Sequence, residues 1–179
     1  MALTLISTHT ASASATLDIT SGIDSTYDSY EFHCVNMHPA TDAVDFLFQV
    51  NAAGASGFNE VMTTTTFETY HNEADGTTSL NYNTAHDQGQ GTAYQTLFTL
   101  GVGNDADQSV SGVLTLHAPS STTYVKNFTA EGNGAYAEQY TVQLFTAGYI
   151  NVTAAIDEIS FKFESGNIDA GTIKMFGVS

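Results

Sequence analysis

Apolar and polar residues alternate with a period of two along most of the chain. Tyr30, Phe32 and Cys34 occupy every second position of "YEFHCV", and Leu114 and Leu116 share one face of "SVSGVLTLHAP". This period predicts β-strands that bury one face. Further strands are predicted in "DFLFQV", which is apolar enough to be covered on both faces, and in "VMTTTTFETYH", "TTYVKNFTAEG" and "YAEQYTVQLFTAGY".

Stretches rich in glycine or in Asp and Asn separate these runs and predict turns. They are "TSGID", "NAAGASG", "EADG", "DQGQG", "GVGNDADQ" and "EGNGA". No segment combines helical periodicity with capping residues, and a short helix remains an alternative only in "TAYQTLFTL".

The last twenty residues, "SFKFESGNIDAGTIKMFGVS", carry the most regular alternation. Ile159, Phe161 and Phe163 share one face of the first run, and Ile173 and Met175 share one face of the second. A polar stretch with a glycine near each end separates the two runs, which predicts a β-hairpin. Its apolar faces are expected to close the core.

Many short strands with turns at this spacing predict an all-β fold. We expect a single domain over residues 1–179, built as a jelly-roll-like antiparallel β-sandwich of about eight to ten strands. An immunoglobulin-like sandwich is less favoured because it closes at about 100 residues. The hydrophobic content of 42% is sufficient for a core.

The charge balance is unusual and excludes some partners. Nineteen acidic residues stand against three lysines, Lys126, Lys162 and Lys174, and the formal net charge is −16. Binding to nucleic acid or to anionic lipid depends on Lys and Arg contacts with phosphates. We therefore expect neither nucleic acid nor membrane as a partner. Because only 12% of residues are charged, the surface is predicted to be mostly Thr, Ser, Asn, Gln and Gly.

Cys34 is the single cysteine, so an internal disulfide is excluded. Its place inside an apolar run predicts a small buried side chain, with a reactive thiol as the less favoured alternative. No apolar stretch approaches membrane-spanning length. The opening "MALTLISTHTASASA" lacks the basic start of a secretory signal and is interpreted as part of the folded chain.

Three stretches resemble parts of one protein family. They are the opening "LISTHTASASATLDITSGIDSTYDSYEFHCVNMHPATDAVDFLFQV", the middle "SGVLTLHAPSSTTYVKNFTAEG" and the ending "IDEISFKFESGNIDAGTIKMFGV". In this order they resemble virion proteins of tailed bacteriophages, a family of tail-fibre domains and of head or tail accessory proteins. The resemblance is weakest between about residues 51 and 107 and implies a β-sandwich structural module. The residues themselves favour neither enzyme activity nor a cofactor.

Within that family, a head decoration (cement) protein on the virion exterior is the favoured role. The predicted sandwich fills the chain from end to end, which favours an accessory protein over a long fibre, and acidic charge suits a position away from packaged genome. The expected partners are the major capsid protein or a tail protein, and further copies of this chain in a homo-oligomer. The alternative is a tail appendage or fibre-tip module that binds a host-surface glycan or receptor.

Two stretches contain residue types that bind metals. One stretch resembles the start of a calcium-binding loop, with Asp105, Asp107 and Ser109 at alternate positions. It lacks the bidentate Glu that ends such loops. The second stretch, "ETYHNEADGTTSLNYNTAHDQGQG", could supply a transition-metal site, although its spacing matches no zinc signature. A solvated loop is the favoured interpretation of this stretch, whose candidate ligands are Glu68, His71, Glu73, Asp75, His86 and Asp87.

Catalysis would need a pair of carboxylates, since some phage appendages depolymerise glycans. Asp157 and Glu158 are adjacent and so point to opposite faces of a strand, and Glu138 and Glu164 would have to be brought together by the fold. No nucleophile elbow and no HExxH motif is present. We therefore predict no catalytic residues, and name "GVGNDADQS" and "AEGNGAY" as candidate glycan-binding loops.

Overall fold

The computed structural model describes residues 2–179, which form 13 β-strands, all paired antiparallel, and no helix. The all-β prediction is confirmed, and most of "TAYQTLFTL" lies in a strand. The strands are β1 (Leu3–Ser14), β2 (Leu17–Ile19), β3 (Ser29–Pro39), β4 (Val44–Ala52), β5 (Met62–Asn72), β6 (Thr78–Tyr82), β7 (Gly89–Gly91), β8 (Gln95–Val102), β9 (Val110–His117), β10 (Lys126–Tyr136), β11 (Tyr140–Ile150), β12 (Ile156–Phe163) and β13 (Ile168–Val178).

The strands are arranged in two layers. The larger layer has the order β1-β13-β3-β9-β10-β11-β5, and the short strands β6 and β7 pair with β5. The smaller layer has the order β2-β12-β4-β8. One backbone pair, Tyr136 with Val102, connects β10 of the larger layer to β8 of the smaller one.

The pairing is that of a jelly roll. When strands β5, β6, β7, β10 and β11 are set aside, the first remaining strand pairs with the last, and the following pairs nest inside it. These pairs are β1 with β13, β2 with β12, β3 with β9, and β4 with β8. The predicted jelly-roll sandwich is therefore confirmed, with more strands than expected. We call β10, β11, β5, β6 and β7 the extension, because they lengthen the larger layer beyond β9.

The predicted C-terminal hairpin is wrong. Strand β12 pairs with β4 and β2 in the smaller layer, whereas β13 pairs with β1 and β3 in the larger layer. The glycine-bounded stretch crosses from one layer to the other. The alternation predicted both strands and their buried faces. It did not distinguish a hairpin within one layer from a connection between the two layers, because the strands alternate in the same way in both cases.

Aromatic side chains fill the space between the layers. Phe161 of β12 packs against Phe32 of β3 with ring centroids 5.8 Å apart, and it stacks on Phe46 of β4 at 6.0 Å. Phe48 of β4 meets Phe128 of β10 edge-on at 5.0 Å. Because these five rings are almost completely buried and belong to both layers, they form one continuous core.

Two glycines in paired strands allow one more ring into that core. Gly112 of β9 lies directly opposite Gly132 of β10, and Phe98 of β8 packs over both. A Cβ atom added to Gly132 would lie 2.6 Å from the Phe98 Cβ. The prediction of a turn at "EGNGA" is therefore wrong, since these glycines allow a close approach inside a strand.

Lys126 is buried completely, although lysine is rare inside proteins. Its ammonium donates hydrogen bonds to the carbonyls of Tyr124, Val152 and Ala154 at 3.0, 3.0 and 2.7 Å. Burial lowers the pKa of Lys126, and the negative charge of Glu60 partly opposes this shift. The ammonium ties the loop before β10 to the loop before β12.

Candidate functional site

One row of side chains crosses the outer face of the larger layer. The strand registers place Tyr82 of β6 beside Phe67 of β5, Phe67 beside Phe145 of β11, and Phe145 beside Glu131 of β10. We call this line the outer row. It continues across the sheet through Val113, His33, Lys174 and Thr8.

An open groove of about 470 Å³ lies along the part of this face next to the extension. We call it the outer groove. The rings of Phe67 and Phe145 stack at its apolar end, 4.7 Å apart and inclined by 10°. Phe67 is 43% exposed, an unusual position for a large apolar ring. The remaining wall contains two carboxylates and a set of threonines, namely Glu31, Glu131, Thr65, Thr115 and Thr129.

Glu31, at the other end of the outer groove, is paired with an imidazole. His33 Nε2 lies 2.8 Å from the Glu31 carboxylate, and the His33 ring packs against Phe176 at 4.7 Å. Alternation along β3 explains why Glu31 and His33 reach this face, since Tyr30 and Phe32 turn into the core.

The chemistry of the outer groove fits a polyhydroxylated ligand. The exposed Phe67 ring provides an apolar surface, and the carboxylates of Glu31 and Glu131 can accept hydrogen bonds from hydroxyls. Threonine hydroxyls can donate and accept. The outer groove is therefore suited to binding a sugar ring between a stacking surface and hydrogen-bond acceptors.

The fold separates the residues of the transition-metal hypothesis. Glu68 is buried and accepts a hydrogen bond from Asn83 Nδ2 at 3.0 Å. His71, near the end of β5, lies 3.0 Å from Asp75, which is on the exposed connection between β5 and β6. Glu73, in the same connection, donates its backbone N–H to the Gln139 carbonyl.

The remaining two candidate ligands of that stretch have other partners. His86 Nε2 lies 3.5 Å from the Asp45 carboxylate, and Asp87 accepts a hydrogen bond from the Tyr82 hydroxyl. Within residues 2–179, no three His, Cys, Asp or Glu side chains come close enough together to hold a metal ion. The structure gives the transition-metal hypothesis no support.

The calcium-like stretch forms a compact turn. Gln108 donates its backbone N–H to the Asp105 carbonyl at 2.8 Å, and its side-chain oxygen accepts the Asp105 N–H at 3.1 Å. Asp107 and Ser109 flank Gln108 in this turn, before β9 begins. The neighbouring candidate loop "AEGNGAY" is not a loop, because all of it lies in β10.

The other residues singled out from the sequence have structural surroundings. Cys34 is buried, and burial raises the pKa of its thiol, which leaves it protonated. Glu158 accepts a hydrogen bond from Asn51 Nδ2 at 2.9 Å. Glu138 lies in the turn between β10 and β11, whereas Glu164 directly follows β12. No hydrogen bond or ion pair joins these carboxylates into a pair within residues 2–179.

The sequence contained a weak signal for the outer groove. In a strand over "VMTTTTFETYH", Phe67 lies on the face opposite Thr64, Thr66 and Glu68, and the alternation of side chains along the strand is enough to show this. The partner strand and the register that bring Phe145 beside Phe67 depend on contacts between distant parts of the chain. A sequence pattern does not specify those contacts.

No family model, curated protein or solved structure matches this chain. The part of the chain that the structure describes has no helix long and apolar enough to span a membrane.

Proposed function

We propose that this chain is a structural protein of a tailed-bacteriophage particle, bound to the outside of the head as a decoration protein. The observation that carries the proposal is strand β1. It is 12 residues long, pairs with β13 alone among the strands of residues 2–179, and contains no Asp, Glu, Lys or Arg.

Uncharged edge strands can accept another strand. Two other edges are better protected, because β2 has only three residues and the edge of β5 is covered by β6 and β7. Leu3 and Leu5 on β1 are 51% and 53% exposed, so the edge also offers apolar surface to a partner. Addition of a capsid strand to β1 would give affinity through backbone hydrogen bonds.

The net charge supports an outward position. A net charge of −16 repels packaged DNA and keeps the exposed surface soluble. The uncharged β1 is the long edge at which another protein can approach without meeting that charge directly. The resemblance of three stretches to phage virion proteins is consistent with this arrangement.

Binding to particles that lack the protein tests this proposal. Heads stripped of the chain are incubated with the parent protein and sedimented. The double variant Thr8→Lys and Thr10→Lys places two charges on the edge strand and is expected to lose at least about tenfold in affinity. Thr122→Lys with Thr123→Lys, in an exposed loop, changes the net charge equally and should bind like the parent.

Equal binding by both double variants would show that β1 is not the contact. Failure of the parent to bind stripped heads would contradict the decoration role itself.

A second function is favoured by the outer groove, namely binding of a host-surface glycan by a tail appendage. The stacked rings of Phe67 and Phe145 beside the two carboxylates are the observation behind it. Phe67→Ser should abolish attachment of the labelled protein to host cells. Tyr124→Ser, at a ring that is 73% exposed but lies outside the outer groove, should leave attachment unchanged. Equal effects of both substitutions would contradict this function.

A further inference from the structure

A second concavity lies on the inner face of the extension, where the smaller layer ends at β8. It has a volume of about 280 Å³. We call it the tyrosine pocket. Three tyrosines and two carboxylates line it together with Leu100 of β8, namely Tyr70, Tyr136, Tyr140, Glu68 and Glu138.

The three rings form a connected aromatic wall. Tyr140 is central, with the Tyr70 ring 5.8 Å away at 76° and the Tyr136 ring 5.9 Å away at 84°. The register explains the arrangement, since Tyr136 pairs directly with Tyr140 and Tyr70 pairs with Val142. Rings at nearly right angles present both faces and edges to the space between them.

The Tyr136 ring is held in place by backbone. A Cβ atom added to Gly101 would lie 2.2 Å from Tyr136 Cε2, so the ring lies directly against the Gly101 main chain. Gly101 is fixed in turn, because its N–H donates to Asp45 Oδ1 at 2.8 Å. This wall of the tyrosine pocket is therefore formed before any ligand arrives.

The tyrosine pocket has a negative electrostatic potential. Glu68 is only 9% exposed and accepts one hydrogen bond, from Asn83, while Glu138 lies at the opening. The pKa of Tyr136 is raised, first by burial and then by the negative charge of Glu138, with smaller effects from Tyr140, Asp45 and Asp42. The negative charges of these carboxylates stabilise any cation beside the ring.

None of the three lysines lies in the tyrosine pocket. Lys126 is buried among backbone carbonyls, Lys162 lies over the Tyr94 ring at 4.4 Å, and Lys174 is on the outer face. The sequence has no Arg, so no permanently charged basic side chain lies beside the carboxylates of the tyrosine pocket. The negative charge of the tyrosine pocket is thus balanced by solvent ions or by a ligand.

We propose that the tyrosine pocket binds a small organic ammonium ion, with the cation held against the faces of Tyr70, Tyr136 and Tyr140 and near the carboxylates of Glu68 and Glu138. Several aromatic faces around a cation are the known way in which proteins recognise quaternary ammonium groups. Drug-sized ligands occupy cavities of about 300–1,000 Å³. The tyrosine pocket is at or below the lower limit, so it fits a headgroup and not a large molecule.

Calorimetric titration of the isolated full chain with choline tests the proposal. The matched probe is dimethylbutanol, in which a carbon atom replaces the ammonium nitrogen and removes the charge at constant shape. We expect choline to bind at least about tenfold more tightly than dimethylbutanol, because the uncharged probe lacks the attraction between a cation and the aromatic rings. A parallel titration can follow tyrosine fluorescence directly, because the chain has no Trp whose emission would mask it.

Variants separate charge from folding. Glu68→Gln with Glu138→Gln keeps the shape and an acceptor for Asn83, and should weaken choline binding at least about tenfold. Glu164→Gln with Asp169→Asn changes the net charge equally outside the tyrosine pocket and should bind like the parent. Tyr140→Phe keeps the ring and should retain binding, whereas Tyr140→Leu should lose it.

Three results would overturn the proposal. They are absence of heat and of fluorescence change with choline, equal affinity for dimethylbutanol, and equal weakening by the two double variants. None of these results depends on particle binding, so failure here is distinguishable from failure of the decoration role.

Discussion

The Lys126 ammonium lies 2.7 Å from the Ala154 carbonyl oxygen, in a position without access to solvent. Two further carbonyls, of Tyr124 and Val152, accept hydrogen bonds from the same nitrogen. Hydrogen bonds from a charged donor are stronger than neutral ones. One lysine thereby fixes the two loops that enter β10 and β12, which belong to different layers.

Replacement of this lysine by an apolar side chain should destabilise the fold. Lys126→Met leaves three carbonyls without their donor and is expected to lower the free energy of unfolding by about 3 kcal/mol. Lys174→Met removes the same charge from an exposed position and should change it by less than about 0.5 kcal/mol. Urea denaturation measures both, and equal values would show that the Lys126 hydrogen bonds contribute nothing net.

Alkaline pH should destabilise the protein through buried acids that stay protonated. Burial raises the pKa of the Cys34 thiol above its ordinary value of 9.0. The unfolded chain then loses this proton first, so the free energy of unfolding falls as pH rises above 9.0. Tyr30 and Tyr136, whose pKa values are also raised, act in the same direction from about pH 10.

The variant Cys34→Ala isolates the thiol's share. Its free energy of unfolding should fall less steeply than the parent's between about pH 8 and about pH 10. The pKa of Lys126 is lowered, so its effect on the pH dependence of the free energy of unfolding has the opposite sign. Lys126 is present in both proteins, and its effect therefore cancels in the comparison. Equal slopes from chemical denaturation at each pH would contradict a buried thiol at Cys34.

The C-terminal strands should be indispensable although they do not form a hairpin. Truncation before Ser160 removes β13, the strand between β1 and β3, together with the second half of β12. Phe161→Asp places a carboxylate between the rings of Phe32 and Phe46 and should abolish cooperative unfolding.

Asp169→Ala is the control for those two variants, because Asp169 is exposed at the irregular start of β13. It should shift the melting temperature little. Cooperative thermal melting of the truncated chain near the parent temperature would show that β12 and β13 are an appendage.

The paired glycines provide a direct test of packing between the layers. Gly132→Ala brings a methyl group within 2.6 Å of Phe98 and of the Ser111 carbonyl oxygen, and should cost about 2 kcal/mol or more. Gly89→Ala, in a strand with open space around the glycine, should cost less than about 1 kcal/mol. Thermal and urea denaturation measure the loss of stability in each variant. Equal losses for the two variants would contradict the close approach of Phe98.

Local patterns predicted much of the fold. Alternation predicted the burial of Phe32, Phe46 and Phe161, and turn residues marked most strand ends. Pairing between distant strands was not predictable, because a period of two shows which face is buried and not which strand lies beside it. The wrong hairpin at residues 160–175 follows from this gap.

Glycine was ambiguous for a related reason. Gly132 and Gly134 permit contact with Phe98 and Thr99 inside β10, whereas Gly166 occupies a bend with φ of 72°. The same residue type serves a turn in one place and close packing in the other. The outer groove and the tyrosine pocket both depend on the extension, whose strands are brought together by registers that the sequence does not reveal.

The number and position of copies on purified particles test the central claim most directly. Quantitative gels of particles, compared with density on the head in electron micrographs, measure both. The decoration role predicts a copy number comparable with that of the major capsid protein and density on the head exterior. A copy number comparable with that of tail proteins, or absence of the chain from purified particles, would contradict it.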